Sequence, residues 1–221
     1  MKTAGNKEIV IMSVLIEISE LVQKGKAKDV KVLVANALEE GISAKEILND
    51  ALIAGMMIVG EKFKAGEVYV PEVLISARAM NQGVNILKPY LTKEGVESVG
   101  KAVICTVKGD LHDIGKNLVK MMLEGVGIEC IDLGVDASEE KVVEAVKESG
   151  AQIVCLSSLL TTTMDYQKDV IDALTVAGLR DKVKVMVGGA PLDAKFAEGI
   201  GADAYTRDAA EAAEVALSFL K

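Results

Sequence analysis

Lys101 to Gly115 reads KAVICTVKGDLHDIG. The stretch opens as an apolar, β-branched run, Lys101–Val107, and then turns abruptly polar. Just beyond it, Ile114–Glu124 carries the spacing of an amphipathic helix. A strand that runs through a loop into a helix is the repeating unit of a parallel sheet. Toward the C-terminus the same grammar recurs. Strands are predicted at Ile128–Leu133, Gln152–Ser157, Val183–Val187 and, more weakly, Ala202–Tyr205. Helices are predicted between them at Glu139–Glu148, Met164–Ala177 and Asp193–Glu198, with a last one at Ala209–Leu220. Right-handed crossovers then put helices on both faces of a five-stranded parallel sheet.

Toward the N-terminus the grammar is helical only. Ile9–Val22 and Ala27–Glu40 have apolar residues at helical spacing, and the second stops at Gly41. Ser43 with Glu46 forms a capping-box signature for a helix reaching about Phe63. Pro71 suits the start of a fourth helix, running to about Leu87. The expected architecture is an N-terminal four-helix bundle followed by a flavodoxin-like (Rossmann-like) α/β domain with strand order 2-1-3-4-5. The polar stretch TKEGVESVG is the expected linker, giving a bundle over 1–91, a linker over 92–100 and the α/β domain over 101–221.

Composition sets limits on function. At roughly 150 residues per domain, 221 residues are enough for one large or two small domains. Twenty-five basic and 33 acidic side chains leave a net charge of −8, a poor basis for binding nucleic-acid phosphates or an anionic membrane. The apolar run from Ala51 to Gly60 is closed by Asp50 and Glu61, too short to span a bilayer. The start of the chain, with Glu8, Glu17 and Glu20 close behind, does not read as a signal peptide. Cys105, Cys130 and Cys155 show no C-x-x-C spacing and read as buried small hydrophobes, so a cytoplasmic address is expected. The chain has one histidine, His112, which excludes a multi-histidine metal cage and most hydrolase triads.

In open parallel sheets ligands bind at the carboxyl ends of the strands, near the switch point. Three loops bring unusual residues there: 108–115 after strand one, Ser157 to Thr163 after strand three, and Gly188-Gly189-Ala190-Pro191 after strand four. His112 lies in the first, with Asp110 two residues earlier to receive its second ring N–H, as metal-bound imidazoles usually require. A lone imidazole cannot hold a free metal ion, so a metal here must arrive inside a macrocycle. Two other uses of the fold fit poorly. A response regulator needs an aspartate where Ser157 stands, and a flavodoxin phosphate loop would be repelled by Asp110 and Asp113. A solvent-exposed His112, an Asp110 that caps the helix at Ile114, and a Gly188–Gly189 pair serving only a tight turn remain the plain alternatives.

Asp110-Leu111-His112-Asp113-Ile114-Gly115 matches the D-x-H-x-x-G signature of the B12-binding family, with Ser157-Ser158-Leu159 as its S-x-L and Gly188-Gly189 as its glycine pair. The chain resembles the methyl-carrier corrinoid proteins of methanogens and acetogens and the cobalamin-binding module of methionine synthase. The resemblance covers nearly the whole chain, the helical half resembling the family's cap domain. It implies that His112 ligates cobalt from below, that Asp110 holds the far imidazole nitrogen, and that Thr163 completes the relay, where methionine synthase has a serine. It places the corrin against Leu111, Asp113, Ile114 and Gly115, and the nucleotide tail among Ser157, Leu159, Thr161, Gly188, Gly189 and Ala190. Phe63 and Val70, seven apart and just before Pro71, match the apolar pair that covers the corrin's upper face, or else belong to the bundle core.

The implied function is that of a cobalamin (corrinoid) methyl carrier in anaerobic one-carbon metabolism, cycling between Co(I) and methyl-Co(III). Its implied partners are a substrate-side methyltransferase, an acceptor-side methyltransferase using tetrahydrofolate or coenzyme M, and a reductive activator of Co(II). It would be a methyltransferase subunit, since the chain shows no zinc-site residues and no length for a folate barrel. A B12-dependent sensor and an adenosylcobalamin isomerase subunit are the competing readings.

Overall fold

The computed structural model of the chain describes residues 2–94 and 98–221. It divides into two compact units, one on each side of the boundary between residues 97 and 98.

The first unit is helical. α1 (Lys2–Gln23) and α2 (Ala27–Glu39) are joined by a turn at Gly25, whose φ of +66° suits glycine. The next rod begins at Ser43, where the predicted capping box forms: the Ser43 hydroxyl accepts from Glu46 N–H, and the Glu46 carboxylate accepts from Ser43 N–H. That rod comprises α3 (Ala44–Glu46), a π-helical stretch (Ile47–Ile53) and α4 (Ala54–Lys64). The wider turn keeps Ile47, Ala51 and Leu52 buried, and Gly55 follows where its backbone meets that of Ser19; a Cβ there would lie 2.8 Å from the Ser19 carbonyl oxygen. α5 (Val70–Glu94) continues past Pro89 instead of ending near Leu87, so residues 92–94 of the expected linker are helical. Residues 95–97 of that stretch lie outside the described residues. The far end of α5 is held because the Glu94 carboxylate accepts from the N–H groups of Ala44 and Lys45, capping α3 from another helix.

The second unit contains β1 (Gly100–Thr106), α6 (Ile114–Gly125), β2 (Ile128–Asp132), α7 (Glu139–Ser149), β3 (Ile153–Ser157), α8 (Tyr166–Val176), β4 (Lys184–Gly188), α9 (Ala194–Ile200), β5 (Ala204–Tyr205) and α10 (Ala209–Phe219). The strands are all parallel, in the order β2-β1-β3-β4-β5. Ser138, Asp193 and Asp208 cap α7, α9 and α10 through their side chains. Val103, Cys105, Val154, Leu156, Val185 and Val187 alternate along the sheet to form a core with Val142 and Val146 of α7, Val170 and Leu174 of α8, and Ala197 of α9. α6 lies against β1 and β2 and against the alanine-rich α10. Among the described residues no helix is long and apolar enough to cross a membrane.

Register is what positions the site. Thr106 pairs with Ser157, and Ser157 with Gly188. The loops after β1, β3 and β4 therefore leave the sheet from one line of residues, about 4.8 Å apart from strand to strand.

Candidate functional site

Asp110 is the hub of that edge. It is fully buried, at 0% exposure, and a buried carboxylate must be matched by donors. Its Oδ1 accepts from the His112 backbone N–H at 3.0 Å, an Asx turn, and from the ring Nδ1 at 2.7 Å. Its Oδ2 accepts from Leu159 N–H at 2.7 Å, Leu160 N–H at 3.3 Å and the Thr163 hydroxyl at 2.9 Å. Ser158 Oγ lies 2.8 Å from Thr163 Oγ1 and 3.4 Å from Asp110 Oδ2. Burial pushes the Asp110 carboxyl up, but the N–H groups of His112 and Leu159, the imidazole and the Thr163 hydroxyl outweigh it and hold the group well below the usual carboxylate range.

An ionised carboxylate only accepts, so Nδ1 of His112 is the donor and carries a proton. In the neutral ring the lone pair then sits on Nε2, on the side away from Asp110. The Thr106 hydroxyl donates to the His112 carbonyl at 2.8 Å, fixing the main chain as the carboxylate fixes the ring. The imidazole is nevertheless 51% exposed. Around it stand exposed apolar side chains: Leu111 at 71%, Ile114 at 79%, Leu159 at 43% and Leu160 at 40%. A Cβ at Gly115 would meet nothing within 4 Å, so the surface above the first turn of α6 is open. A half-exposed, rigidly aimed imidazole in loops that also carry four exposed apolar side chains fits a broad, flat, largely apolar macrocycle that brings its own metal.

The third loop touches the second. Ser158 N–H donates to the Gly188 carbonyl at 3.2 Å. Gly189 has φ +140°, and a Cβ there would fall 1.7 Å from the Ser158 carbonyl oxygen. Glycine is required at 189 because two backbones cross, a reason independent of any ligand. Ala190 and Thr161 are exposed, and Ser157 ends β3, where its carbonyl accepts from Val107 N–H at 3.0 Å and extends the β1–β3 ladder. Asp113 precedes α6 and accepts from the Asn117 side chain at 3.0 Å. In the helical unit Phe63 is half-buried near the end of α4, and Val70 is 36% exposed at the start of α5.

The sequence reading passed over three groups of the network. Ser158 points inward while Ser157 does not, a distinction set by the pleat at the end of β3. Leu160 contributes a backbone N–H, which no sequence shows. Thr106 reads as an ordinary strand residue, though its full burial at a strand end marks a polar group that needs a partner. Cys105, Cys130 and Cys155 are free; burial pushes the Cys105 and Cys130 thiols up to about 12 and raises that of Cys155 as well.

Residues 100–218 match a family model described as a B12 binding domain, and residues 14–88 match a second model of the same description. Monomethylamine corrinoid protein 1 of Methanosarcina mazei is 45% identical over 194 residues, 86% of this chain and 89% of that protein. A corrinoid protein of Desulfitobacterium hafniense is 41% identical over 213 residues, 95% and 99% of the two chains. Among solved structures, the methanol:cobalamin methyltransferase complex MtaBC from Methanosarcina barkeri contains a chain with TM-score 0.84 and 31% identity, covering 94% of this chain and 80% of that one. The chain therefore belongs to the B12-binding family and is a cobalamin-binding corrinoid protein of methyl transfer.

Proposed function

We propose that this protein is the methyl carrier of a multi-component methyltransferase system, with His112 as the lower ligand to the corrinoid cobalt. The observation that carries the reading is the exposed imidazole whose Nδ1 is held at 2.7 Å by a buried, ionised Asp110. When bound, the corrinoid supplies a cobalt centre that takes up a methyl group as a cation equivalent and releases it to a second acceptor. The protein's part is to present and withdraw a nitrogen. Asp110 keeps the Nδ1 proton in place and makes the ring a stronger donor through Nε2. When Nε2 is not engaged as a ligand it can take a proton, and Asp110 would stabilise the resulting imidazolium through a charge-assisted bond. Thr163 and Ser158 hold the other carboxylate oxygen, so the relay keeps its geometry through that change.

Leu111, Ile114, Leu159 and Leu160 would shield the ring from water once the corrinoid is bound. Phe63 and Val70 of the helical unit are proposed to contribute apolar contacts to the corrinoid. Ser157, Leu159, Thr161, Gly188, Gly189 and Ala190 are proposed to receive the nucleotide tail, in the loops that leave β3 and β4. The relatives include a monomethylamine corrinoid protein and a methanol:cobalamin methyltransferase complex. A methylated amine or methanol is accordingly the donor class proposed here, delivered by a substrate-side methyltransferase in complex with this chain. An acceptor-side methyltransferase and a reductive activator complete the cycle, in the cytoplasm, where three free thiols persist.

The test is reconstitution with hydroxocobalamin and desalting. Wild type is expected to keep the cofactor with a histidine-ligated spectrum, and His112→Ala to keep it with that signature lost. Failure of wild type to retain any corrinoid overturns the carrier reading; identical spectra overturn the axial role of His112.

A further inference from the structure

Asp136 is the one described non-glycine residue with a positive φ, 52°. Left-handed backbone is unfavourable for a residue with a Cβ, though aspartate tolerates it better than most, and it persists only where the surroundings hold it. The residue lies between β2 and α7. Its Oδ1 accepts from Gly109 N–H at 2.7 Å, and its own N–H donates to the Asp110 carbonyl at 3.0 Å. On either side, Thr106 N–H donates to the Gly134 carbonyl at 3.0 Å and Ala137 N–H donates to the Thr106 carbonyl at 3.1 Å. The segment 134–137 thus carries the β1–β2 ladder past the strand ends and bonds the turn on both sides of Asp110, at the Gly109 N–H before it and at its own carbonyl after it. Gly109 itself has φ +78°, and the Asp110 N–H closes the turn onto the Val107 carbonyl at 3.1 Å; Asp136 adds a hold from a second strand end at the turn's most permissive residue.

We propose that Asp136 is a positioning residue for His112, acting through Asp110. The 159–163 loop holds the Asp110 side chain from β3, whereas Asp136 holds its main chain from β2. Both grips are needed to keep Oδ1 at 2.7 Å from the imidazole, because a hydrogen bond of that length weakens steeply when the turn rotates. The inference rests on the reading of His112 as the metal-ligating imidazole, but its first test does not.

The chain's single histidine makes that test direct. Uniform labelling with 15N-histidine gives one imidazole in the cofactor-free protein, and at a pH where the ring is neutral its two nitrogen shifts report which one carries the proton. Wild type is expected to hold the proton on Nδ1. Asp136→Asn keeps an oxygen for Gly109 N–H and is expected to look like wild type. Asp136→Gly and Asp136→Ala remove the acceptor, the first while also relieving the backbone; each is expected to move the tautomer ratio several-fold toward that of free imidazole. A wild-type ratio in both overturns the proposal, as does an equal shift in Asp136→Asn. Loaded with hydroxocobalamin, the Gly and Ala variants should show a several-fold smaller histidine-ligated fraction than Asp136→Asn. If His112→Ala leaves the loaded spectrum unchanged, the ligand reading falls while the nitrogen shifts still decide the role of Asp136.

Discussion

Asp110 and Leu159 stand 49 residues apart in the chain, yet the Leu159 N–H donates to Asp110 Oδ2 at 2.7 Å. That bond joins the loop after β1 to the loop after β3, and it gives the buried carboxylate a partner that no neighbouring residue supplies. The imidazole is aimed by the fold itself, before any cofactor binds. Binding then need not order the ring, a saving that preorganised sites express as affinity.

Replacing Asp110 tests that arrangement. Asp110→Asn offers one acceptor oxygen and sets an NH2 group against donors on the other side. The cofactor-free protein is expected to lose about 3 kcal/mol in urea unfolding, since bonds to a charged group are worth roughly 1.5–3 kcal/mol each. In the loaded protein the weakened imidazole should favour the state without a lower ligand, so reduction of Co(II) to Co(I) becomes easier. Spectroelectrochemical titration beside wild type checks this; an unchanged midpoint would show that the carboxylate does not tune the metal.

Phe63→Ala tests the proposed contact of the helical unit with the corrinoid. With methylcobalamin bound, removing the ring is expected to speed loss of the cobalt–methyl absorbance under illumination several-fold, because radicals escape before they recombine. Stopped illumination followed by spectroscopy measures it. A rate equal to wild type, with a lower melting temperature, would assign the half-buried ring to the helical core.

Gly189→Ala sets a new methyl 1.7 Å from the Ser158 carbonyl oxygen in a backbone region that disfavours side chains. The β4 loop must shift, at a cost of about 3 kcal/mol or more. Denaturant unfolding reads the loss, and corrinoid retention should fall with it. Wild-type stability would contradict the backbone crossing described above.

Asp203 governs part of the acid limb. Burial pushes its carboxyl up, but Val185 N–H at 2.8 Å, Lys184 at 3.1 Å and Arg180 at 2.8 Å outweigh that and leave it below the ordinary value. A group lowered on folding stabilises the native state above its unfolded-state value, near 3.8 for aspartate, and loses that contribution as pH falls through the folded-state value. At pH 7, Asp203→Asn should therefore cost about 2 kcal/mol. The gap to wild type should shrink steadily below about pH 4, measured by urea unfolding across the range. A gap that stays constant with pH would mean the carboxylate gains nothing from its partners.

Most of the α/β unit was legible because its strands are β-branched runs set between helices with cap signals at Ser138, Asp193 and Asp208. The observed strands lie within two residues of the expected ones at each end, and the order β2-β1-β3-β4-β5 is the flavodoxin-like order expected of five strands alternating with helices. What was not legible is instructive. The π stretch at Ile47–Ile53 has the composition of ordinary helix, and only its packing beside α1 sets it apart. The fourth helix is expected to end near Leu87, but Glu94 finds donors 49 and 50 residues away on α3, and that tertiary tie holds α5 past Pro89. At the site, His112, Asp110 and Thr163 announce themselves as polar residues in the right loops. The backbone donors of Leu159 and Leu160 and the inward turn of Ser158 depend on how the strand ends splay, which local sequence does not encode.

The register that aligns Thr106, Ser157 and Gly188 also sets an order of events during synthesis. The histidine leaves the ribosome with its own loop, but the groups that hold Asp110 Oδ2 emerge some fifty residues later, as the 49-residue separation of Asp110 from Leu159 requires. Until β3 has docked beside β1, Asp110 has its local bonds to His112 and the hold from Asp136 but lacks the donors that fix its Oδ2. Cobalamin loading therefore belongs after the sheet has closed, and a chain truncated before Leu159 would be a nascent peptide bearing a histidine, without a site.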